Sequence, residues 1–156
     1  MVALALAGLA GSVLPERVSV TITPSVKHRL WWLSSDLAQV RRGEYVLFHL
    51  EKERMHGFPV PESVSTNGDL RAIKRVGCDE GEVLRREGRD YYCGEEFLGH
   101  AKERSKKGEP MPQCEFNGTI PAGKAFLVGD HPDSFDSRYF GLVEKDSYRA
   151  WARALF

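Results

Sequence analysis

The pattern of hydrophobic and polar positions predicts short β-strands rather than helices. Residues 17–23 (RVSVTIT) alternate β-branched and polar side chains, and residues 44–50 (EYVLFHL) form a longer apolar run after a glycine. Residues 51–68 and 100–113 are polar and are expected to be loops, and the tail at 147–156 is expected to hold a short helical turn. Further closely spaced strand candidates are residues 30–33, 70–77, 91–98, 124–129 and 139–143. The pattern therefore predicts a mainly β fold, a barrel or sandwich of antiparallel sheets.

The N-terminal residues 1–14 (MVALALAGLAGSVL) form an uncharged apolar arm. The arm is shorter than the ~20 residues that a helix needs to cross a bilayer, and it lacks the basic start of a secretory signal. It is open to interpretation as the end of a longer anchor, a minimal anchor or an arm packed on the domain. A cleaved signal is the alternative, because Ala5-Leu6-Ala7 has the small-x-small form. We favour a membrane anchor followed by a single β-rich domain at 15–156.

Charge and composition narrow the classes of partner. The 156 residues fit one domain, and 22 basic side chains balance 22 acidic ones, so the net charge is zero. A balanced charge gives no long-range attraction to nucleic acid. Since zinc-finger spacing and glycine-rich phosphate loops are also absent from the sequence, we expect no nucleic-acid partner.

The three cysteines are Cys78, Cys93 and Cys114. They form no Cys-x-x-Cys pair and do not cluster with histidine, so no metal site is expected. Cys78 and Cys93 flank a charged stretch, and the two strands of a hairpin would bring them together in an oxidising compartment. The alternative is two buried free thiols, and the spacing leaves both open. Cys114 is expected to be free.

Lys74 is a candidate general base. It lies in an apolar strand context, residues 72–77 (AIKRVG), where desolvation would lower the pKa of its ammonium group. A neutral lysine can take the proton of a serine hydroxyl, and the Ser–Lys pair is a recognised nucleophile arrangement. Ser25 is the candidate nucleophile. His28 lies three residues from it, but the sequence singles out no acid to orient that ring, so an exposed or capping histidine is favoured.

Several segments resemble the conserved boxes of type I signal peptidases. Residues 129–141 (GDHPDSFDSRYFG) resemble the signature box of that family, and their length makes chance agreement improbable. The compact size of the chain is similar to that of the TraF-type conjugal-transfer signal peptidases. Two segments, residues 31–36 and 78–81, also point to the TraF type. Three further boxes agree with the signal peptidase pattern in order and spacing: residues 23–26 (nucleophile), 42–46 (the strand that follows) and 73–77 (catalytic lysine).

The resemblance implies a role for each site residue. Ser25 would be the nucleophile and Lys74 its general base, while the N–H of Ser25 and the hydroxyl of Thr23 would form the oxyanion hole. Ser134 would orient Lys74. Asp130 would lie at a turn beside the site. Asp136 and Arg138 would form a buried ion pair that supports its shape. Such a mechanism requires no metal or organic cofactor.

The implied function is removal of a leader peptide by a serine endopeptidase. By resemblance, the substrate is a pilin or another secreted precursor, processed for conjugal transfer or type IV secretion near secretion-apparatus proteins. The enzyme would sit in the bacterial inner membrane with its catalytic domain facing the periplasm. One departure is that Lys27-His28 stands where the family has x-Pro. It motivates the alternative of a catalytically silent secretion subunit, and a general leader peptidase is the other alternative.

Overall fold

The computed structural model describes residues 17–21, 25–55, 65–66 and 69–155. Within these ranges the chain forms two antiparallel sheets, in agreement with the predicted mainly β fold. The large sheet has the order β1-β2-β12-β3-β5-β10-β11, with β4 on β5, and the small sheet has the order β8-β7-β6-β9. The strands are β1 (Val18–Val20), β2 (Leu30–Ser34), β3 (Tyr45–Leu50), β4 (Ser65–Thr66), β5 (Asp69–Cys78), β6 (Val83–Glu87), β7 (Asp90–Cys93), β8 (Glu96–His100), β9 (Gly118–Thr119), β10 (Lys124–Val128), β11 (Val143–Glu144) and β12 (Tyr148–Ala154).

The centre of the large sheet is the pair β3 and β5. The two strands pair along the whole of β3, from Tyr45 opposite Arg75 to Leu50 opposite Leu70. Both faces of β3 are covered, since Phe48 packs into one hydrophobic cluster and Leu47 into another. Burial on both faces explains why β3 is a nearly continuous apolar run rather than an alternating one.

The small sheet is joined to the large one by a disulfide. Cys78 at the end of β5 and Cys93 at the end of β7 are bonded, with their Cα atoms 5.4 Å apart. The spacing of these residues had left this pairing open. Cys114 is a buried free thiol. Tyr91 and Phe126 stack in the hydrophobic cluster between the small sheet and β10, with ring centroids 5.2 Å apart.

The predicted strand at 91–98 is in fact two strands. β7 ends at Cys93 and β8 begins at Glu96, so a tight turn separates them. Gly94 has a φ of 57°, in the left-handed region that favours glycine. The turn brings Tyr92 against Phe97, with ring centroids 5.3 Å apart.

The predicted strand at 139–143 is wrong over its first half. Helix α1 (Ser137–Phe140) occupies this position, and the carboxylate of Asp136 caps it by accepting the N–H of Arg138. The helix ends at Gly141, which has a φ of 89°. Tyr139 and Phe140 are buried, and buried aromatic residues in a short run are equally typical of a strand, so their pattern does not reveal the cap.

The predicted helical turn in the tail is also wrong. A single 3₁₀ turn (Lys145–Ser147) precedes β12, which is a central strand between β2 and β3. Ala150 and Ala152 are two residues apart and both lie on the buried face of the strand. Alanine is a weak strand former, so pairing with two strands from the start of the chain overrides its local preference.

The apolar arm at 1–14 lies outside the described residues. No helix in the part of the chain that the structure describes is long and apolar enough to cross a membrane.

Candidate active site

Lys74 lies in the middle of β5, on the same strand face as Ala72 and Val76, and only 1% of its surface is exposed. On one side its neighbour is Val46 of β3. On the other side β10 ends at Val128, which pairs with Arg75. The chain therefore leaves the sheet at Gly129, next to Lys74, and begins the loop that carries the signature box.

The ammonium group of Lys74 donates a hydrogen bond of 2.9 Å to the hydroxyl of Ser134. Burial lowers the pKa of Lys74 from 10.5 to about 8, although the carboxylate of Asp136 opposes this change. A lysine with this pKa is partly neutral at mildly alkaline pH, so it can accept a proton there.

Gly129 allows the parts of the site to approach one another. A Cβ atom at this position would lie 2.0 Å from the Ser134 hydroxyl oxygen and 2.6 Å from the carbonyl oxygen of Ser25. These atoms therefore pack directly against the bare Cα of Gly129, and any side chain would push them apart. The Gly129 N–H donates to Asp136 at 2.8 Å, which fixes the start of the loop.

Ser25 is half-buried and is attached to the same loop. Its carbonyl oxygen accepts hydrogen bonds from the N–H groups of Asp130 at 2.8 Å and His131 at 3.3 Å. The next residue, Val26, is buried in the hydrophobic cluster that contains Trp31. The loop thus holds the Ser25 segment and, through Ser134, the amine of Lys74. Thr23 lies outside the described residues.

Asp136 and Arg138 form a buried, two-pronged ion pair. Arg138 donates to the carboxylate through Nε at 2.8 Å and through Nη2 at 2.8 Å, and the side chains are 0% and 3% exposed. Burial lowers the pKa of Arg138, but hydrogen bonds and attraction from Asp136 outweigh burial and hold this pKa above its ordinary value. Arg138 also donates to the carbonyl oxygens of His100 and Ser134. The pair therefore cross-links the loop to β8.

Asp130 has a nearly buried carboxylate, 7% exposed, that gathers several donors. It accepts the N–H of Lys27 at 3.0 Å and the hydroxyl of Tyr45 at 2.8 Å, and it lies 3.5 Å from Nε of Arg75.

Sequence reasoning found Asp130 but missed Tyr45 and Arg75. It also missed Gly99, where a Cβ atom would lie 2.8 Å from Nη1 of Arg138. The available signals in the sequence were the positive charge of Arg75 directly after Lys74 and the position of Gly99 within a strand.

His28 has contacts that suit a packing residue. Its ring lies edge-on against Trp31 at a centroid distance of 5.7 Å. Its backbone carbonyl accepts the Thr21 hydroxyl at 2.9 Å.

The side chains of Cys78, Glu82 and Cys93 place three potential ligand atoms, two sulfurs and a carboxylate oxygen, within 4.8 Å of one another. Metals bind the thiolate form of cysteine, and both of these sulfur atoms are engaged in the disulfide. In the oxidised protein this group is therefore a covalent cross-link beside a carboxylate.

Comparison with known proteins shows the family to which this chain belongs. The family model for signal peptidases, peptidase S26, matches residues 1–156. The chain belongs to the signal peptidase family S26. It is accordingly a serine-type signal peptidase, and enzymes of this kind remove the leader peptides of precursor proteins. The signal peptidase I family is in general membrane-associated, with its catalytic domain facing the periplasm.

One solved structure gives a second comparison for this signal peptidase. It is the crystal structure of a signal peptidase I from Enterococcus faecalis V583, to which the chain is 26% identical. The match covers 72% of this chain and 96% of that one, with a TM-score of 0.43. No curated protein sequence matches the chain significantly.

Proposed function

We propose that Ser25 and Lys74 form the catalytic dyad of this signal peptidase. The observation that carries the proposal is the burial of Lys74, whose amine bonds to Ser134 on the loop that also holds the carbonyl of Ser25. A buried amine with a lowered pKa is the kind of base that activates a serine hydroxyl. Ser134 orients the amine, while Asp136 and Arg138 hold the loop in shape.

The chemistry proceeds in two steps. Neutral Lys74 takes the hydroxyl proton as Ser25 Oγ bonds to the scissile carbonyl carbon. The C–N bond then breaks, the ammonium of Lys74 gives its proton to the leaving amine, and an acyl-enzyme remains. In the second step Lys74 deprotonates a water molecule that attacks the ester, and the proton returns to Ser25.

In both steps a negative charge develops on the oxygen of the scissile carbonyl group, and hydrogen-bond donors are required to stabilise it. The Ser25 N–H and the Thr23 hydroxyl are the proposed oxyanion hole. A preorganised donor of this kind contributes roughly 10²–10³ in rate.

The proposed substrate is the precursor of a pilin or another secreted protein, cleaved at the periplasmic face of the bacterial inner membrane for conjugal transfer or type IV secretion. Support comes from residues 31–36 and 78–81, which resemble the TraF-type enzymes. On this proposal the enzyme works beside proteins of the secretion apparatus, and its apolar arm at 1–14 serves as the anchor.

The test is cleavage of a pilin precursor and of a generic signal peptide in detergent micelles. The unsubstituted protein, Ser25→Ala and Ser147→Ala are compared; Ser147 is a buried serine that donates to the Glu144 carbonyl, away from the dyad. We expect the unsubstituted protein and Ser147→Ala to cut the pilin precursor and Ser25→Ala to be folded but inert. Faster cleavage of the generic peptide would indicate a general leader peptidase. Absence of cleavage of both substrates by the folded unsubstituted protein would indicate a silent subunit.

A further inference from the structure

Asp130 binds the segment 25–27 from both sides of Val26. Its backbone N–H donates to the Ser25 carbonyl at 2.8 Å. Its carboxylate accepts the N–H of Lys27 at 3.0 Å. Asp130 therefore holds the backbone on both sides of Val26, through its main chain at Ser25 and through its carboxylate at Lys27, and with it the position from which the Ser25 hydroxyl projects.

Tyr45 fixes the direction of that side chain. Its hydroxyl donates to the same carboxylate oxygen that Lys27 uses, at 2.8 Å. Its ring lies 4.8 Å from the ring of Trp31, which is fully buried. Burial, together with the hydrogen bond to Asp130, raises the pKa of Tyr45 well above its ordinary value. The phenol thus stays protonated and remains a donor at every working pH.

The segment after Ser25 needs such a support because it lacks a proline. Proline would lock φ and restrict the chain, but Lys27-His28 occupies the place of the family's x-Pro. Side-chain hydrogen bonds hold the segment instead. Asp130 binds the Lys27 N–H, and Thr21 donates to the His28 carbonyl while accepting the indole N–H of Trp31 at 3.2 Å. Trp31, which supports Thr21, also packs against Tyr45.

We propose that Tyr45 is a positioning residue for peptide-bond hydrolysis: through Asp130 it holds the Ser25–Lys27 backbone in the orientation that attack requires. The inference rests on the proposed function, in which Ser25 is the nucleophile. Tyr45 acts on the rate of attack and does not bind the substrate itself. Its loss is therefore expected to lower kcat and leave KM nearly unchanged.

The test is Tyr45→Phe in the full chain, in detergent micelles, with the peptide that the unsubstituted protein cleaves. We expect kcat to fall roughly tenfold, because a small displacement of an attacking group has a large effect on rate, while KM stays within about twofold. The matched control is Tyr91→Phe. Tyr91 is fully buried, whereas Tyr45 is half-buried, and its hydroxyl likewise donates one hydrogen bond, to the Cys114 carbonyl at 2.6 Å, but it lies in the small sheet. Its kcat should equal that of the unsubstituted protein, although its melting temperature falls.

A double-substitution cycle provides the second readout. If Tyr45 acts through Asp130, adding Tyr45→Phe to Asp130→Asn lowers kcat no further than Asp130→Asn alone. An unchanged kcat for Tyr45→Phe, an equal loss for Tyr91→Phe, or full additivity in the cycle would overturn the inference. Activity that survives Ser25→Ala would overturn the proposed function instead, so the two failures are distinguishable.

Discussion

Replacing Lys74 by methionine should stabilise the protein at neutral pH. Burial lowers the pKa of Lys74 from 10.5 to about 8, and a tenfold change in acidity corresponds to about 1.4 kcal/mol. The charged ammonium group therefore costs the folded state about 3 kcal/mol at pH values below its folded pKa. Methionine has a similar length and no charge, so Lys74→Met removes this cost. The net gain in stability is smaller than the cost removed, because the hydrogen bond to Ser134 is lost.

The pH dependence isolates the effect of Lys74. Its pKa is lower in the folded state, so the unfolded chain binds the proton more tightly between pH values of about 8 and 10.5, and the stability of the unsubstituted protein rises with pH in that window. The variant lacks this contribution. The difference in unfolding free energy between the variant and the unsubstituted protein should therefore shrink by about 2 kcal/mol from about pH 7 to about pH 9.5.

Urea unfolding of both proteins at the two pH values measures this difference, since other titrating groups are common to both and cancel. A difference that does not change with pH would refute the lowered pKa, and with it the role of Lys74 as a base near neutral pH. The Ser134→Ala variant is the control. Its stability difference should change little with pH, because it keeps the buried amine.

Three further predictions concern rate, packing and the cross-link. The value of kcat/KM should rise roughly tenfold between about pH 7 and about pH 9, because the pKa of Lys74 is about 8; a flat profile would exclude it as the base. Gly129→Ala should lower kcat by roughly 10²-fold or more, because the new Cβ would lie 2.0 Å from the Ser134 hydroxyl, and a fully active variant would show that this approach is not required. Replacing Cys78 and Cys93 together by serine should lower the unfolding free energy by about 3 kcal/mol, as expected for a cross-link that closes a loop of about 15 residues; unchanged stability under oxidising conditions would contradict the bond.

The sequence predicted those strands that carry an apolar run of their own. β3 and β5 pair antiparallel and carry apolar runs, so their existence and nearly their bounds followed from the pattern. β12 was not predictable in this way, because it is held between β2 and β3, which lie about a hundred residues or more earlier in the chain. Helix α1 depends on a cap by Asp136, whose carboxylate the motif assigned only to an ion pair.

The same distinction applies to the site. The resemblance predicted Ser25, Lys74 and Ser134 as site residues, and in the structure the amine of Lys74 donates a hydrogen bond to the hydroxyl of Ser134. Tyr45 was missed because its proposed role depends on a contact with Asp130, 85 residues away. A tyrosine at the start of a strand is typical of many sheets, so only the tertiary structure distinguishes this hydroxyl from others.

If Ser25 attacks the substrate with Lys74 as its base, an acyl-enzyme forms on Ser25, and the most direct measurement is the mass of this trapped intermediate. Turnover of a precursor peptide is stopped with acid during the first cycle, and the protein is digested and analysed by mass spectrometry. We expect the peptide that contains Ser25 to gain the mass of the acyl product, and we expect Ser25→Ala and Lys74→Met to show no such gain. An adduct on another residue, or an adduct that persists in Ser25→Ala, would contradict the proposed Ser25–Lys74 dyad.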